Sequence, residues 1–413
     1  MIRPPNTSPV DETSLHYAGW RVVLGCFLMA LFLFGFGLYG HGVYLAELQR
    51  LNGWPAALVS GASTLTFLLA NTFATFTNEL VARLGPRRLV LLGIAALAAS
   101  MTLLAWATTP WHVYAAFILM SLGWTGMGVV LIATVVSLWF VRRRGLAISL
   151  ALTGASSGGV VVTPLLVLLV ERFGFATAML TAMAVMVAVL VPVAVAWIGP
   201  PSAVGSVEAQ VKGPSQVQFS SAPGKVSRAR LMRSMALWTI SIPFALALVA
   251  QIGFIVHQIA LLEPKIGRAS AGFAVSVMTF MAIVGRLGLG MVVDRFNPRL
   301  VAAASLVSQA AALLMIRQSN SVPIALAACA VFGFSVGNLI TLPPLIIHRE
   351  FTAASFVVVM GLSNAISGIL GALGPVLVGI VRGWTGDYNA ALALCIALEL
   401  VAAVIIIQRG RLS

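Results

Sequence analysis

Arg286 lies in the apolar stretch Gly272–Val293, GFAVSVMTFMAIVGRLGLGMVV, eight residues before the first acidic residue, Asp294. In a helix rising about 1.5 Å per residue, the guanidinium sits about 12 Å from the helix end. The hydrocarbon layer of a bilayer is about 30 Å thick, so this charge lies within it. At that depth a charge costs about 2.5–3.5 kcal/mol on insertion scales and is tolerated where it faces a water-filled cavity and finds a partner. No acid in the same stretch can serve. A guanidinium offers a planar fork that fits a carboxylate with two hydrogen bonds. The chemistry expected of Arg286 is reversible capture of a small organic anion. The alternative is a helix–helix lock onto backbone carbonyls or a distant glutamate.

Other polar residues stand in apolar runs. The first run carries Gly35, Gly37, Tyr39, Gly40, His41, Gly42 and Tyr44. His41 and Tyr44 are three apart and share a helical face. They either line a cavity with Tyr39 or sit hydrated near a membrane surface. Gln251 and Gln258 are seven apart and share a face, with His257 turned away from it. Thr64, Asn71 and Asn78 repeat every seven residues; with Asn338 and Asn364 they are cavity lining or interhelical glue. Trp124, amid Gly123, Gly126 and Gly128, is an aromatic wall or a packing residue. Glu399 is a second charge in an apolar run, read as a neutral packed carboxyl against a proton-coupling role.

Two enzyme-like patterns are set aside. Gly154-Ala155-Ser156-Ser157-Gly158 fits a nucleophile elbow, but that device needs a strand-to-helix turn and this segment is inside an apolar run. Its glycine spacing suits close helix packing. Gly35-Phe36-Gly37-Leu38-Tyr39-Gly40 fits a dinucleotide fingerprint but lacks the preceding strand. No Walker motif or metal-ligand spacing is present, so no cofactor, no metal and no enzymatic activity are expected.

The elements that must position these residues follow from composition. Of 413 residues 60% are hydrophobic and 9% charged, against about 25% charged in soluble domains. The formal charge of +14 is scattered in short loops rather than on one soluble face, which argues against nucleic acid. Cys26, Cys329 and Cys395 fall in apolar runs as packing residues. Twelve apolar windows are long enough to span a membrane: 20–45, 57–82, 88–107, 111–139, 145–170, 175–198, 236–262, 269–293, 299–316, 322–346, 352–380 and 389–408. The expected organisation is a tail (1–19), a six-helix bundle (20–198), a Pro/Ser/Gly/Lys/Arg-rich linker (199–235), a second six-helix bundle (236–408) and a short tail (409–413). With the N-terminus inside, eighteen of the 25 lysines and arginines fall on the inner side and six on the outer. That asymmetry predicts cytoplasmic termini. The polar N-terminus has no h-region or cleavage site, so the first span is expected to be an uncleaved anchor.

The halves repeat. Arg83-Leu84-Gly85-Pro86-Arg87 follows span 2, and Arg295-Phe296-Asn297-Pro298-Arg299 follows span 8. Arg142–Arg144 precedes glycine-rich span 5, as His348-Arg349-Glu350 precedes span 11. At these residues the chain resembles the major facilitator superfamily, whose loop motif is degraded in the first half (Arg83, Gly85, Arg87 and Arg88 remain) and better kept in the second (Gly290, Asp294, Arg295, Arg299). WFVRRRGLAISLALTGASSGG (139–159), HQIALLEPKIGRASAGFAVSVMTFMAIVGRLGLGMVVDR (257–295) and GLYGHGVYLAELQRLNGWP (37–55) resemble bacterial members of the monocarboxylate and oxalate–formate transporter families. The resemblance implies an all-α membrane protein of twelve transmembrane helices in two pseudo-symmetric six-helix bundles. It also implies that Arg286 grips the substrate carboxylate, while Arg83, Gly85, Arg87, Asp294, Arg295 and Arg299 govern gating. The chain departs from the animal carriers in lacking an Asp shortly before Arg286, and from the oxalate exchanger in lacking a lysine in span 11. One buried cation favours a monoanion.

The expected function is alternating-access secondary transport of small organic anions of the lactate or pyruvate kind, with proton symport as one coupling and exchange or uniport as others. Arg286 is the expected anchor. Tyr39, His41, Tyr44, Asn71, Trp124, Gln251, His257, Asn338 and Asn364 are the other candidate substrate contacts. The rival is a facilitator for neutral or hydrophobic solutes. The expected partners are the anion, protons under symport and the lipid of a bacterial inner membrane, with the chain a monomer.

Overall fold

The computed structural model describes residues 12, 14, 17–199, 231–292 and 296–408. Most of the N-terminal tail, linker residues 200–230, Asp294, Arg295 and the last five residues lie outside them. The described residues contain no strand. Their twelve helices are long and apolar enough to cross a membrane, because a helix satisfies its own backbone hydrogen bonds where no water is available. We label them α1 (Gly19–Asn52), α2 (Ala56–Ala74), α3 (Pro86–Ala105), α4 (Pro110–Ser137), α5 (Arg144–Phe173), α6 (Phe175–Trp197), α7 (Met235–Ile266), α8 (Arg268–Val292), α9 (Pro298–Gln318), α10 (Val322–Glu350), α11 (Ala353–Ala372 with Gly374–Thr385) and α12 (Asn389–Ile407).

Each expected span matches one helix, and the ends differ for physical reasons. α1 runs to Asn52, past the expected end at 45. Its last turns carry Glu47 and Arg50, whose charges suggested solvent but pair with each other at 2.8 Å. α2 stops at Ala74 and resumes as Thr77–Leu84.

Several helices are interrupted near their middles. α1 has a π-turn at Gly35–Tyr39 and α5 another at Gly158–Val162. α4 is extended at Gly128, and α11 breaks at Leu373. Glycines make the two π-turns touch. A Cβ on Gly154 would strike the Phe27 carbonyl, and one on Gly158 the Leu31 carbonyl and Gly35. The segment that imitates a nucleophile elbow is thus a helix-packing surface.

The pseudo-symmetry extends to side-chain detail. At the start of α3, Arg87 Nε donates to the carbonyl of Ile198, just past α6 (2.9 Å). At the start of α9, Arg299 Nη1 donates to the carbonyls of Ile406 (2.8 Å) and Gln408 (2.9 Å) at the end of α12. The last carbonyls of a helix lack partners within it, and the dipole there favours a cation. Arg83 does less: it is exposed and pairs only with Glu79, one turn away (2.5 Å). Gly85 turns between α2 and α3 at φ +78°, a conformation that favours glycine.

Before α5, Glu12 accepts from the backbone N–H groups of Val141 (2.9 Å), Arg142 (3.2 Å) and Arg143 (2.8 Å). Partial burial pushes its carboxyl pKa up. These three hydrogen bonds and the charge of Arg142 outweigh that and hold it below the ordinary value. The tie is therefore complete above the ordinary carboxyl range and is lost as pH falls through the lowered value.

The halves meet at the end away from the termini. There α1 packs on α7, the start of α2 on the second segment of α11, and the end of α5 on α8. Thr64 Oγ1 accepts from the Val376 N–H across this contact (3.2 Å). Toward the termini, Thr77–Leu84 and the end of α4 pack within their own half, and Asn71, Thr72, Thr75 and Asn78 are exposed. The structure is closed at the distal end and open at the end that carries the termini.

Within the second half, α8 and α10 pack through glycines. A Cβ on Gly285 would strike the Phe334 carbonyl, and Cβ atoms on Gly333 and Gly337 would strike the carbonyls of Met278 and Ala282. Backbone sits on backbone, so no side chain can yield. Gly333→Leu is expected to prevent recovery of a monodisperse protein on size exclusion, whereas Leu at exposed Gly361, which has open space beside it, is expected to leave the profile unchanged.

Candidate functional site

α8 turns one face toward the first half. Ser276 Oγ donates to the Val160 carbonyl in the π-turn of α5 (2.9 Å). Thr279, one turn on, lies against Gly159 of the same π-turn, where the Tyr39 ring also arrives. Arg286 is two turns beyond Thr279 on nearly the same face. It is half-buried and within electrostatic reach of Tyr39. Its Nε is buried without a hydrogen-bond partner, and Arg286 makes no ion pair with any described residue. Among the described residues no carboxylate or carbonyl bonds that nitrogen, as a lock through it would require.

The α1 π-turn places two further groups. Tyr39 is its last residue. Gly37, inside it, accommodates the Trp124 indole, whose Nε1 would be 2.9 Å from a Cβ at that position. Trp124 Nε1 is itself buried and unpartnered, and the ring packs edge-on against Phe34 (centroids 4.7 Å apart). Buried donors without acceptors are rare in finished interiors. Others in this structure include Trp20 Nε1 and Arg382 Nε; two occur together here, on the guanidinium beside Tyr39 and on the indole held by the turn that ends in Tyr39.

Asn71 and Asn364 are exposed on the open side. Asn71 Nδ2 donates to the Phe67 carbonyl (2.9 Å) and across the halves to the Gly368 carbonyl (3.4 Å). Asn364 is one turn from Gly368 on the same helical face.

The structure does not bring the other candidates to this place. His41 is neither hydrated nor lining the cleft. It is fully buried, with Nε2 against Met120 Sδ (3.0 Å) and its ring among Phe117 and Phe67 (centroids 4.8 and 5.2 Å). Tyr44 is buried beside it. Gln251 Nε2 donates to Gln309 Oε1 on α9 (3.1 Å). His257 has both ring nitrogens engaged: the Tyr388 hydroxyl donates to Nδ1 (3.1 Å) and Nε2–H to the Pro375 carbonyl (3.0 Å). Asn338 Nδ2 faces Ser305 Oγ (3.5 Å) and lines a cavity of about 630 Å³ between α8, α9 and α10. That cavity also takes in Gly288, about 200° around α8 from Arg286 and so on its opposite side. Asn338→Leu is accordingly expected to leave uptake of any substrate within about twofold of the parent, the small effect of a change remote from the site. Glu399 is buried with both carboxyl oxygens unpartnered.

Sequence reasoning passed over Glu47 and Arg268, which pair across the two halves. The available signal was Glu47 itself, an acid ending an apolar run; its partner is far away in the chain.

Residues 27–259, more than half of the chain, match the family described as the Major Facilitator Superfamily. The chain is similar to monocarboxylate transporter 13 of Rattus norvegicus, 27% identical over 404 residues that cover 94% of this chain and 88% of that one. It is 25% identical to monocarboxylate transporter 11 of Mus musculus over 398 residues, covering 91% and 84%. Among solved structures, the nucleoside transporter NupG superposes with a TM-score of 0.74 at 15% identity, covering 94% of this chain and 98% of that one. A D-xylose–proton symporter superposes at 0.72 and 12%, covering 95% and 98%. With twelve spanning helices, an open cleft between two halves and these relatives, the chain belongs to the major facilitator superfamily: it is a membrane transporter related to the monocarboxylate transporters, not an enzyme.

Proposed function

We propose that this chain is a secondary active transporter of small organic anions, monocarboxylates of the lactate or pyruvate kind, working by alternating access. The observation that carries the reading is Arg286, a cation in a spanning helix, beside the cleft between the halves, with no anion among the described residues to meet it. A carboxylate entering the cleft supplies two acceptors to that fork. The Tyr39 hydroxyl and Trp124 Nε1 are the further donors in this reading, and Asn71 and Asn364 line the approach. His41, Tyr44, Gln251, His257 and Asn338 hold helices together instead. Neutralisation of Arg286 by cargo lowers the barrier to occluding the charge, which ties the rocking of the halves to loading. Arg83, Gly85, Arg87 and Arg299 set the ends of the helices that rock; Asp294 and Arg295, the other gating candidates, lie outside the described residues.

In the same reading the chain is a monomer in a bacterial inner membrane with both termini cytoplasmic, and the conformation described is inward-open. The names of the relatives support the substrate class.

The test is uptake in proteoliposomes. Labelled lactate or pyruvate is expected to accumulate, competed by other short carboxylic acids and not by their methyl esters or amides. Equal competition by the uncharged analogues would transfer the reading to the neutral-solute facilitator.

A further inference from the structure

The distal contact contains an ion pair that crosses between the halves. Glu47 of α1, with its side chain 1% exposed, pairs with Arg50 one turn on (2.8 Å) and with Arg268 at the start of α8 in the opposite half. It is the only ion pair among the described residues that joins the two halves. Arg268 Nε also lies 4.0 Å from Glu263 Oε1. The elements packed against this end of α1 are α2, α5 and α7. α2 contains no titratable residue. α5 brings Glu171 and Arg172, and α7 brings Glu263 and Lys265. Lys265 is occupied by the carbonyls of Ile316 (2.7 Å) and Arg317 (3.3 Å). Glu263 is within electrostatic reach of Arg50 and Glu171. His257, further along α7, is engaged with Tyr388 and Pro375.

One buried carboxylate therefore holds two guanidiniums, one from each half. With Glu47 ionised, attraction across the seam closes it. With Glu47 neutral, Arg50 and Arg268 face each other with like charge and the crossing pair is gone. Breaking one partner of a buried pair is far costlier than losing a surface pair, so this single proton outweighs the other charges at the seam.

We propose that Glu47 is a proton-operated latch on the distal face: ionised, it clamps Arg268 and keeps that face shut; protonated, it lets the face open. The proposal rests on the alternating-access reading but not on the identity of the cargo. It gives proton coupling a place that His41 and His257, both walled into packing, do not offer.

The test reads opening directly. Ser60 is fully buried and lies against Gly379 of α11 across the same seam; the native cysteines are all buried. A Ser60→Cys reporter in otherwise native, purified protein, without any organic acid present, is labelled with a charged thiol reagent. Its rate is normalised to an Asn320→Cys control at an exposed distal position. The normalised rate is expected to rise about tenfold or more between about pH 8 and about pH 3, a span that takes in the neutralisation of a carboxylate facing two cations. Glu47→Gln is expected to give the high rate at both pH values, and Arg268→Gln likewise. Glu263→Gln is expected to keep the wild-type pH response. Should Glu47→Gln not give a folded protein, Glu47→Asp, one methylene shorter, is expected to raise the rate at about pH 8 while keeping a response to pH. A slow rate in Glu47→Gln, a pH rise that survives it, or a response abolished by Glu263→Gln instead overturns the assignment. Because no organic acid enters the assay, failure of the cargo reading leaves this outcome untouched.

Discussion

Arg286→Gln is expected to reduce proteoliposome uptake of a labelled monocarboxylate to the level of empty vesicles. Truncating one partner of a buried, hydrogen-bonded charge pair costs about 2–5 kcal/mol, which is about 30-fold to several-thousandfold in affinity. Arg286→Lys keeps the charge but not the planar fork, so its uptake is expected to fall between the two. Stability separates binding from a structural lock. In this structure Arg286 Nε has no partner, so removing an intramembrane charge is expected to leave the thermal midpoint of the empty protein unchanged or higher. Ligand should raise the midpoint of the parent and not that of Arg286→Gln, since only a bound ligand adds stability. Full uptake by the glutamine variant, or a large drop in its midpoint, would exclude the proposed role.

Arg299→Met is expected to be the most damaging single change at the terminal end of the second half. Arg299 is 2% exposed and grips Glu350 at 2.5 and 2.7 Å. The same guanidinium donates to Thr239 of α7 and to the carbonyls of Ile406 and Gln408. One side chain thus joins α7, α9, α10 and the end of α12. Methionine fills similar space but leaves a carboxylate and several acceptors unpaired. Breaking such a pair from one side costs about 3–5 kcal/mol. The expected result is a lower thermal midpoint and a loss of monodisperse protein on size exclusion. Glu350→Gln, which keeps an acceptor at that position, is expected to cost less. Arg87→Met, at the exposed counterpart with a single hydrogen bond, is expected to cost least. Equal midpoints for Arg299→Met and Arg87→Met would show that the buried network adds nothing.

The two experiments separate roles that composition merges. Both residues are arginines near membrane helices, yet one has every donor direction filled by protein and the other has a buried nitrogen facing none. The filled one ties helices together, and the unfilled one is the candidate for cargo.

The sequence by itself determined the twelve helices, because an apolar run of about twenty residues in lipid has no other way to satisfy its backbone. It also marked the repeat of the two halves, through the paired Arg-Pro-Arg turns, and Arg286 as a charge without a local partner. All of these are properties of one segment or of two segments compared. Tertiary structure alone decided what each polar face meets. Seven-residue spacing put Asn71 and Asn78 on one stripe but could not say that Asn71 would reach Gly368 on α11. His41 and Tyr44 do share a face, and that face meets Phe117 and Met120 rather than the cleft. Glu47 and Arg50 looked like the solvated end of a span, until Arg268 of the other half closed over them. Helical periodicity records which side chains point the same way. The rotation of a helix about its axis, and the identity of its neighbour, depend on residues far along the chain.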